Sequence, residues 1–361
     1  MASSNPAEQR GLGLPPVWFA LLDRWFLLGG YGCRARIHML AVWGTLAGFL
    51  IVETVWLRFS GLRFSDTNWQ GFIDLALFAA TAFGICGLAS YRLKGASDRV
   101  GRVLQETVRR VELFVVAGPT FTLLSAAIVT YCYLATAAAL PFQDARLSAI
   151  DRWLGFDWVG FVEWVNSSTV ASWLLVEAYR STSYVLLGTM LWLCVTGRGD
   201  RLAEFLALAC LTFIGIAVGM MIWPAEGAYA YYNPPFSSYD QIGAGSGMWH
   251  HNLLIAIRAG ATTLIDFDAP NSSCLVTFPS GHTILAFITT YALRDSRWTL
   301  ILAAVVNAAM LVSTIPHGGH HLIDVIVGGA IVLFAIFLVR LPLGVPRRQR
   351  AARGHVAFAN V

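Results

Sequence analysis

The chain has 361 residues, 57% of them hydrophobic and 13% charged, with 25 Lys and Arg against 21 Asp and Glu for a net charge of +4. A soluble domain carries about 25% charged residues, so a water-soluble globule is excluded, and recurring apolar runs of about 20 residues place the chain in a bilayer. Lys94 is the one lysine, and the arginines form no stripe interleaved with stacking aromatics, which excludes nucleic acid as a partner.

Along the chain, the first apolar stretch, 16–28, is rich in Trp and Phe but interrupted by Asp23 and Arg24, and reads as an interfacial helix. No basic region followed by an apolar run and a small-residue cleavage site precedes it, so no signal peptide is expected. About eight spans follow by length and hydropathy, over 39–57, 71–91, 111–140, 170–196, 202–223, 280–293, 298–315 and 322–339, the sixth short for a full crossing. The expected fold is an all-α polytopic transmembrane bundle. The six cysteines, Cys33, Cys86, Cys132, Cys194, Cys210 and Cys274, include no C-x-x-C pair and read as small core residues rather than a disulfide or zinc framework.

Arginine placement predicts the orientation. Arg24, Arg34 and Arg36 precede the first span, Arg92 to Arg110 lie between the second and third, and Arg198 and Arg201 between the fourth and fifth. Arg294 and Arg297 separate the sixth and seventh, and Arg347, Arg348, Arg350 and Arg353 follow the eighth. All five segments fall on one side of an eight-span chain, which the positive-inside rule assigns to the cytoplasm together with both termini. The long arginine-poor segments 141–169 and 224–279 fall on the other side, the periplasm if this is a bacterial inner-membrane protein. Within them, 151–158 mixes tryptophans with charges as a helix at headgroup level would, and 249–261 is compatible with an amphipathic helix.

Two segments place polar groups at the ends of apolar spans on that outer side. Phe278-Pro279-Ser280-Gly281-His282-Thr283 opens the sixth span, where proline suits the first turn and free amides bind anions such as phosphate. A serine hydroxyl and the small Gly281 there would admit a phosphoryl group beside His282. Between the seventh and eighth spans runs Ser313-Thr314-Ile315-Pro316-His317-Gly318-Gly319-His320-His321-Leu322-Ile323-Asp324. His320 and Asp324 are four apart, so on a helix they share a face. The carboxylate can hold one imidazole nitrogen and leave the other free as a nucleophile.

These segments resemble the second and third signature motifs of the type 2 phosphatidic acid phosphatase (PAP2) superfamily, P-S-G-H and S-R-x5-H-x3-D. Residues 279–282 match the first in full, and Ser313, His320 and Asp324 match the second in type and spacing. The resemblance implies a six-helix catalytic core over 111–346, with 1–110 as an N-terminal addition and 347–361 as a basic cytoplasmic tail. It further implies a lipid phosphate or phospholipid substrate, no metal and no cofactor. His320 would attack phosphorus, Asp324 would orient it, His282 would protonate the leaving alkoxide, and Ser280 would hydrogen-bond the phosphoryl oxygens. Two departures stand out. Thr314 replaces the arginine of the third motif, and the first motif, K-x6-R-P, is absent from 223–232. The branch resembling inositol-phosphoceramide and sphingomyelin synthases likewise emphasises a His–His–Asp triad, so the departures favour head-group transfer over phosphomonoester hydrolysis. Arg180 or Arg258 could replace the missing cations.

Other readings stay open on the sequence alone. Arg180 could instead pair with Glu177 three residues earlier. His317 and His321 are as well explained as supports behind the site or loop residues as by direct contact, and His250 and His251 carry a weaker signal still. A metal cluster of His317, His320 and His321 is disfavoured because adjacent helical residues diverge. A transporter would string polar groups through the membrane depth, whereas here they cluster at one face; a non-catalytic scaffold is the remaining alternative. The sequence does not give the oligomeric state.

Overall fold

A computed structural model describes residues 23–234, 239–243, 246–269, 275 and 277–341. Of the 16–28 stretch only 23–28 is described, helical over 23–26, and the 347–361 tail lies outside the described residues. Thirteen described helices of five residues or more carry the fold. In chain order the first eight are α1 (Cys33–Ser60), α2 (Asp66–Leu93), α3 (Arg99–Ala137), α4 (Asp144–Trp153), α5 (Trp158–Asn166), α6 (Thr169–Arg180), α7 (Thr182–Val195) and α8 (Gly199–Ile222). Then come α9 (Ala228–Tyr232), α10 (His251–Arg258), α11 (Gly281–Ala292), α12 (Arg297–Ser313) and α13 (Leu322–Arg340). Two short parallel strands, β1 (Arg63–Phe64) and β2 (Leu264–Ile265), pair in register. They join the α1–α2 loop to the segment before α11 at one end of the bundle.

Five helices, α1, α2, α3, α8 and α13, are long and apolar enough to cross a membrane, so the protein is an all-α polytopic membrane bundle. α8 is its axis, packing against α1, α3, α7, α11 and α13. The apolar window of α8 is 56% buried inside the protein and that of α2 only 6%. α2 therefore turns Ile73, Leu77, Phe78, Ile85 and Leu88 outward, the pattern of a lipid-facing helix. At the end of the bundle opposite the β pair, Arg294 and Arg201 converge on Glu204, Arg201 also binds Asp295, and Arg24 reaches Glu112 across 88 positions of sequence.

Several spans differ from their sequence reading. α3 begins at Arg99 rather than 111, because its arginine-rich first turns support themselves through the Glu106–Arg110 pair (3.2 Å) and the Gln105 bond to the Leu93 carbonyl (2.6 Å). The fourth span is two helices divided at Ser181, where Ser181 and Thr182 hydroxyls donate to the Ala178 and Tyr179 carbonyls; such back-bonding bends and weakens a helix. The 151–158 run is not one helix: α4 stops at Trp153, Gly155 takes a φ of +77°, and Asp157 caps α5 by accepting from the Gly160 N–H. The helix expected over 249–261 is confined to α10. α11 has 12 residues, or about 18 Å of helix, against a hydrocarbon core of about 30 Å.

Candidate active site

The two polar segments meet at the end of the bundle that carries the β pair. Ser280 caps α11, its Oγ accepting from the Thr283 N–H at 3.4 Å, while its own N–H donates to the Asp324 carbonyl at 3.1 Å. That crossing is close because residue 328 is glycine: a Cβ there would lie 2.9 Å from the Ser280 carbonyl oxygen. The loop between α12 and α13 is held as firmly. Gly319, at a φ of +69°, accepts from the Ala228 N–H (2.8 Å), and a Cβ on it would meet the Gly247 carbonyl at 2.7 Å. Only glycine fits both the conformation and the approach.

His320 is fixed on every side. Its N–H donates to the Thr314 carbonyl (3.3 Å) and its carbonyl accepts from the Trp158 indole (3.0 Å). Nδ1 lies 3.3 Å from Asp324 Oδ2, and Nε2 lies 3.2 Å from Ser280 Oγ. When Asp324 is ionised it can only accept, and then Nδ1 carries the proton and Nε2 turns its lone pair to the Ser280 hydroxyl. The His282 and His320 ring centroids are 6.3 Å apart. Two contacts of about 3 Å each are of the same size as that separation, so a small anion could touch both rings. Tyr179 at the end of α6 stacks on His282 with centroids 4.4 Å apart and sets the plane of its ring. A Cβ built on Gly281 meets nothing within 4 Å among the described residues, so there is open space beside the first turn of α11.

The other predicted residues are placed unevenly. Ser313 is fully buried and its hydroxyl donates to the Met310 carbonyl. Arg180 pairs with Glu177 at 3.0 Å and is largely exposed, yet its charge reaches His317. Burial holds the His317 imidazole down to about 4, and Arg180 acts in the same direction. Arg258 lies over the Phe142 ring and donates to the Leu140 carbonyl. His317, His320 and His321 do not converge on one point; among the described residues no group of three or more His, Cys, Asp or Glu is arranged to hold a metal.

The sequence reading missed two carboxylates of α4. His321 points away from His320, with Nε2 3.3 Å from Asp144 and Nδ1 3.5 Å from Asp151. Burial disfavours its charge, but the Asp144 and Asp151 bonds and the Asp324 charge outweigh burial and raise the imidazole to about 9. Asp151 also accepts from the Leu322 and Ile323 N–H groups at 2.9 Å, and Asp144 from the Glu226 and Gly227 N–H groups at 3.0 Å. One buried imidazolium and two carboxylates thus tie α4, the start of α9 and the α13 N-terminus together directly behind His320. The available signal was spacing: residues seven apart on a helix share a face.

A comparison with protein families matches residues 145–338 to the PAP2 superfamily. This chain belongs to the PAP2 superfamily. The matched segment exceeds half of the 361 residues and contains Ser280, His282, His320 and Asp324. Membership of PAP2 supports phosphatase-type chemistry on lipid phosphoesters in general, and the match does not single out the inositol-phosphoceramide and sphingomyelin synthase branch. Neither the curated proteins nor the solved structures give a significant match.

Proposed function

We propose that the protein cleaves a lipid phosphoester through a covalent phosphohistidine on His320. The observation that carries this reading is the placement of His320, with Nδ1 against Asp324 and Nε2 3.2 Å from the Ser280 hydroxyl on the side of His282, whose ring centroid lies 6.3 Å away. In the first step the Nε2 lone pair attacks phosphorus, the bond to the lipid alkoxide breaks, and the alkoxide takes its proton from His282. In the second, water or a lipid alcohol attacks phosphorus in the position just vacated and gives its proton to His282, and the P–N electron pair returns to Nε2. Ser280 and the positive N-terminal end of α11 stabilise charge on the non-bridging oxygens.

The site is read as facing away from the cytoplasm, because every arginine-rich connection falls on the opposite side of the eight-span chain. The shortness of α11 supports a site set below the bilayer surface, where a lipid phosphoester would reach Ser280 and His282 without leaving the membrane. Residues 111–346 form the proposed catalytic core.

Head-group transfer to a lipid alcohol is the second reading. It is favoured by Thr314, fully buried where the family pattern has arginine, and by the absence of the K-x6-R-P cations from 223–232. One experiment separates the cases. Purified protein in detergent is given a panel of phosphatidic acid, phosphatidylinositol and phosphatidylcholine, with and without diacylglycerol or ceramide as acceptor. Hydrolysis releases phosphate or a phosphorylated head group; transfer yields a new lipid only when acceptor is present. His320→Ala and His282→Ala should lose either activity. Retention of parental turnover by both variants refutes the proposal.

A further inference from the structure

His250 belongs to neither motif, yet the fold brings it to the site. It precedes α10 and is 4% exposed. Its segment is fixed against the nucleophile loop by backbone contact: the Gly247 carbonyl is the atom that a Cβ on Gly319 would strike, one residue before His320. Its neighbour Trp249 packs edge-on to Tyr179 (centroids 6.3 Å), the same ring that stacks on His282.

The bonding of the ring is lopsided. One hydrogen bond runs to the backbone of Glu226, and a carbonyl can only accept, so that ring nitrogen is an N–H donor. Nε2 is buried and has no hydrogen-bond partner among the described residues, which leaves the bond to Nδ1 and makes Nε2 a bare lone pair in the neutral ring. The titratable groups that face His250 are His320 across the site and His251 beside it. His251 is itself paired with Glu226 at 3.3 Å. Among the described residues no carboxylate bonds Nε2, and the ring lies within charge-interaction reach of His320.

Resting on the phosphoester reading of this site, we infer that His250 is a further substrate-binding residue, whose Nε2 contacts a non-bridging phosphoryl oxygen as an imidazolium formed on binding. The neutral ring cannot make this contact, because lone pair would face lone pair. One proton is therefore drawn from solvent with the anion and returned when the anion leaves, with no bond to phosphorus made or broken. In the empty site burial holds His250 down to about 4, and the charges of His320 and His251 act in the same direction. An adjacent phosphoryl anion reverses that balance. This supplies positive charge where Thr314 and 223–232 supply none, and only while substrate is present.

The test is calorimetric titration of the full-length protein in detergent with inorganic phosphate at pH 7. Buffers of different ionisation enthalpy give the number of protons taken up. The parent should take up roughly one proton more than His250→Gln. The amide of Gln keeps a hydrogen-bond donor but cannot titrate, so His250→Gln should bind phosphate about 10-fold more weakly, with affinity that no longer improves as pH falls. Equal uptake and affinity in parent and His250→Gln overturn the inference, while loss of binding in His320→Ala leaves the phosphoester reading intact. If His250→Gln does not fold, the parent is titrated with inorganic sulfate, which carries no proton at pH 7, and absence of net proton uptake then overturns the inference. A parent that binds no phosphate overturns both.

Discussion

Replacing His321 by glutamine removes the positive charge that Asp144 and Asp151 share, at a point outside the spans where all three side chains are at most 2% exposed. The charge is linked to folding because the imidazole is raised from its ordinary 6.5 to about 9. At about 1.4 kcal/mol per pH unit, that corresponds to roughly 3 kcal/mol of stability. Truncating one member of a buried ion pair costs about 3–5 kcal/mol by an independent route, so the two magnitudes agree. The sign follows from the folded value lying above the unfolded one. The contribution is complete below about pH 6.5 and is lost as pH rises through about 9. The assay is unfolding in detergent from pH 6 to pH 10 for the parent and His321→Gln, followed by helical circular dichroism. The parent should be the more stable by several kcal/mol at pH 6, with the gap closing towards pH 10. Other groups titrating in that range act on both proteins and cancel in the difference. Parallel pH curves would refute the argument, since they would mean that His321 is neutral in the folded protein.

Asp324→Asn should fold and bind substrate but turn over far more slowly. An amide behind the imidazole favours the wrong tautomer, and the same exchange in a serine-protease triad costs about 10⁴-fold; kcat from steady-state turnover checks it. Gly328→Val forces a side chain against the Ser280 carbonyl, 2.9 Å from the new Cβ. It should cost about 1–3 kcal/mol of stability and lower kcat/KM by moving Ser280 away from His320, read from turnover beside a melting curve. Tyr179→Leu removes the ring stacked on His282 and should reduce kcat through misplacement of the acid while leaving the melting temperature near that of the parent.

Much of this architecture is legible in the sequence because membrane crossing is a local property. Length and hydropathy locate α1, α2, α8, α12 and α13 to within a turn or two, and the two motifs announce themselves as polar groups at span ends. The break at Ser181 is less visible, since serine and threonine donate to their own helix without changing hydropathy. The His321 network is invisible to any window. Asp144 and His321 are 177 positions apart, and neither sits in an apolar run that makes it conspicuous. His250 carries only a weak signal in the sequence and Tyr179 none, for the same reason: an interfacial aromatic or histidine is common in such chains, and only the tertiary contacts through Gly319 and His282 distinguish these two. Arg180 and Arg258 show the reverse. Arg180 is conspicuous inside an apolar run and Arg258 in an arginine-poor outer segment, while the structure occupies them with Glu177 and with Phe142 and Leu140.

The covalent intermediate is the claim on which the mechanism turns. Protein mixed with phosphate-labelled lipid, quenched within milliseconds in base and digested should yield one acid-labile, base-stable phosphopeptide spanning 317–324, modified at His320. It should accumulate in His282→Ala if the slow step moves to the second half of the reaction, and be absent in His320→Ala. A turning-over enzyme that yields no labelled peptide under these conditions, or one that labels equally well without His320, would contradict the account.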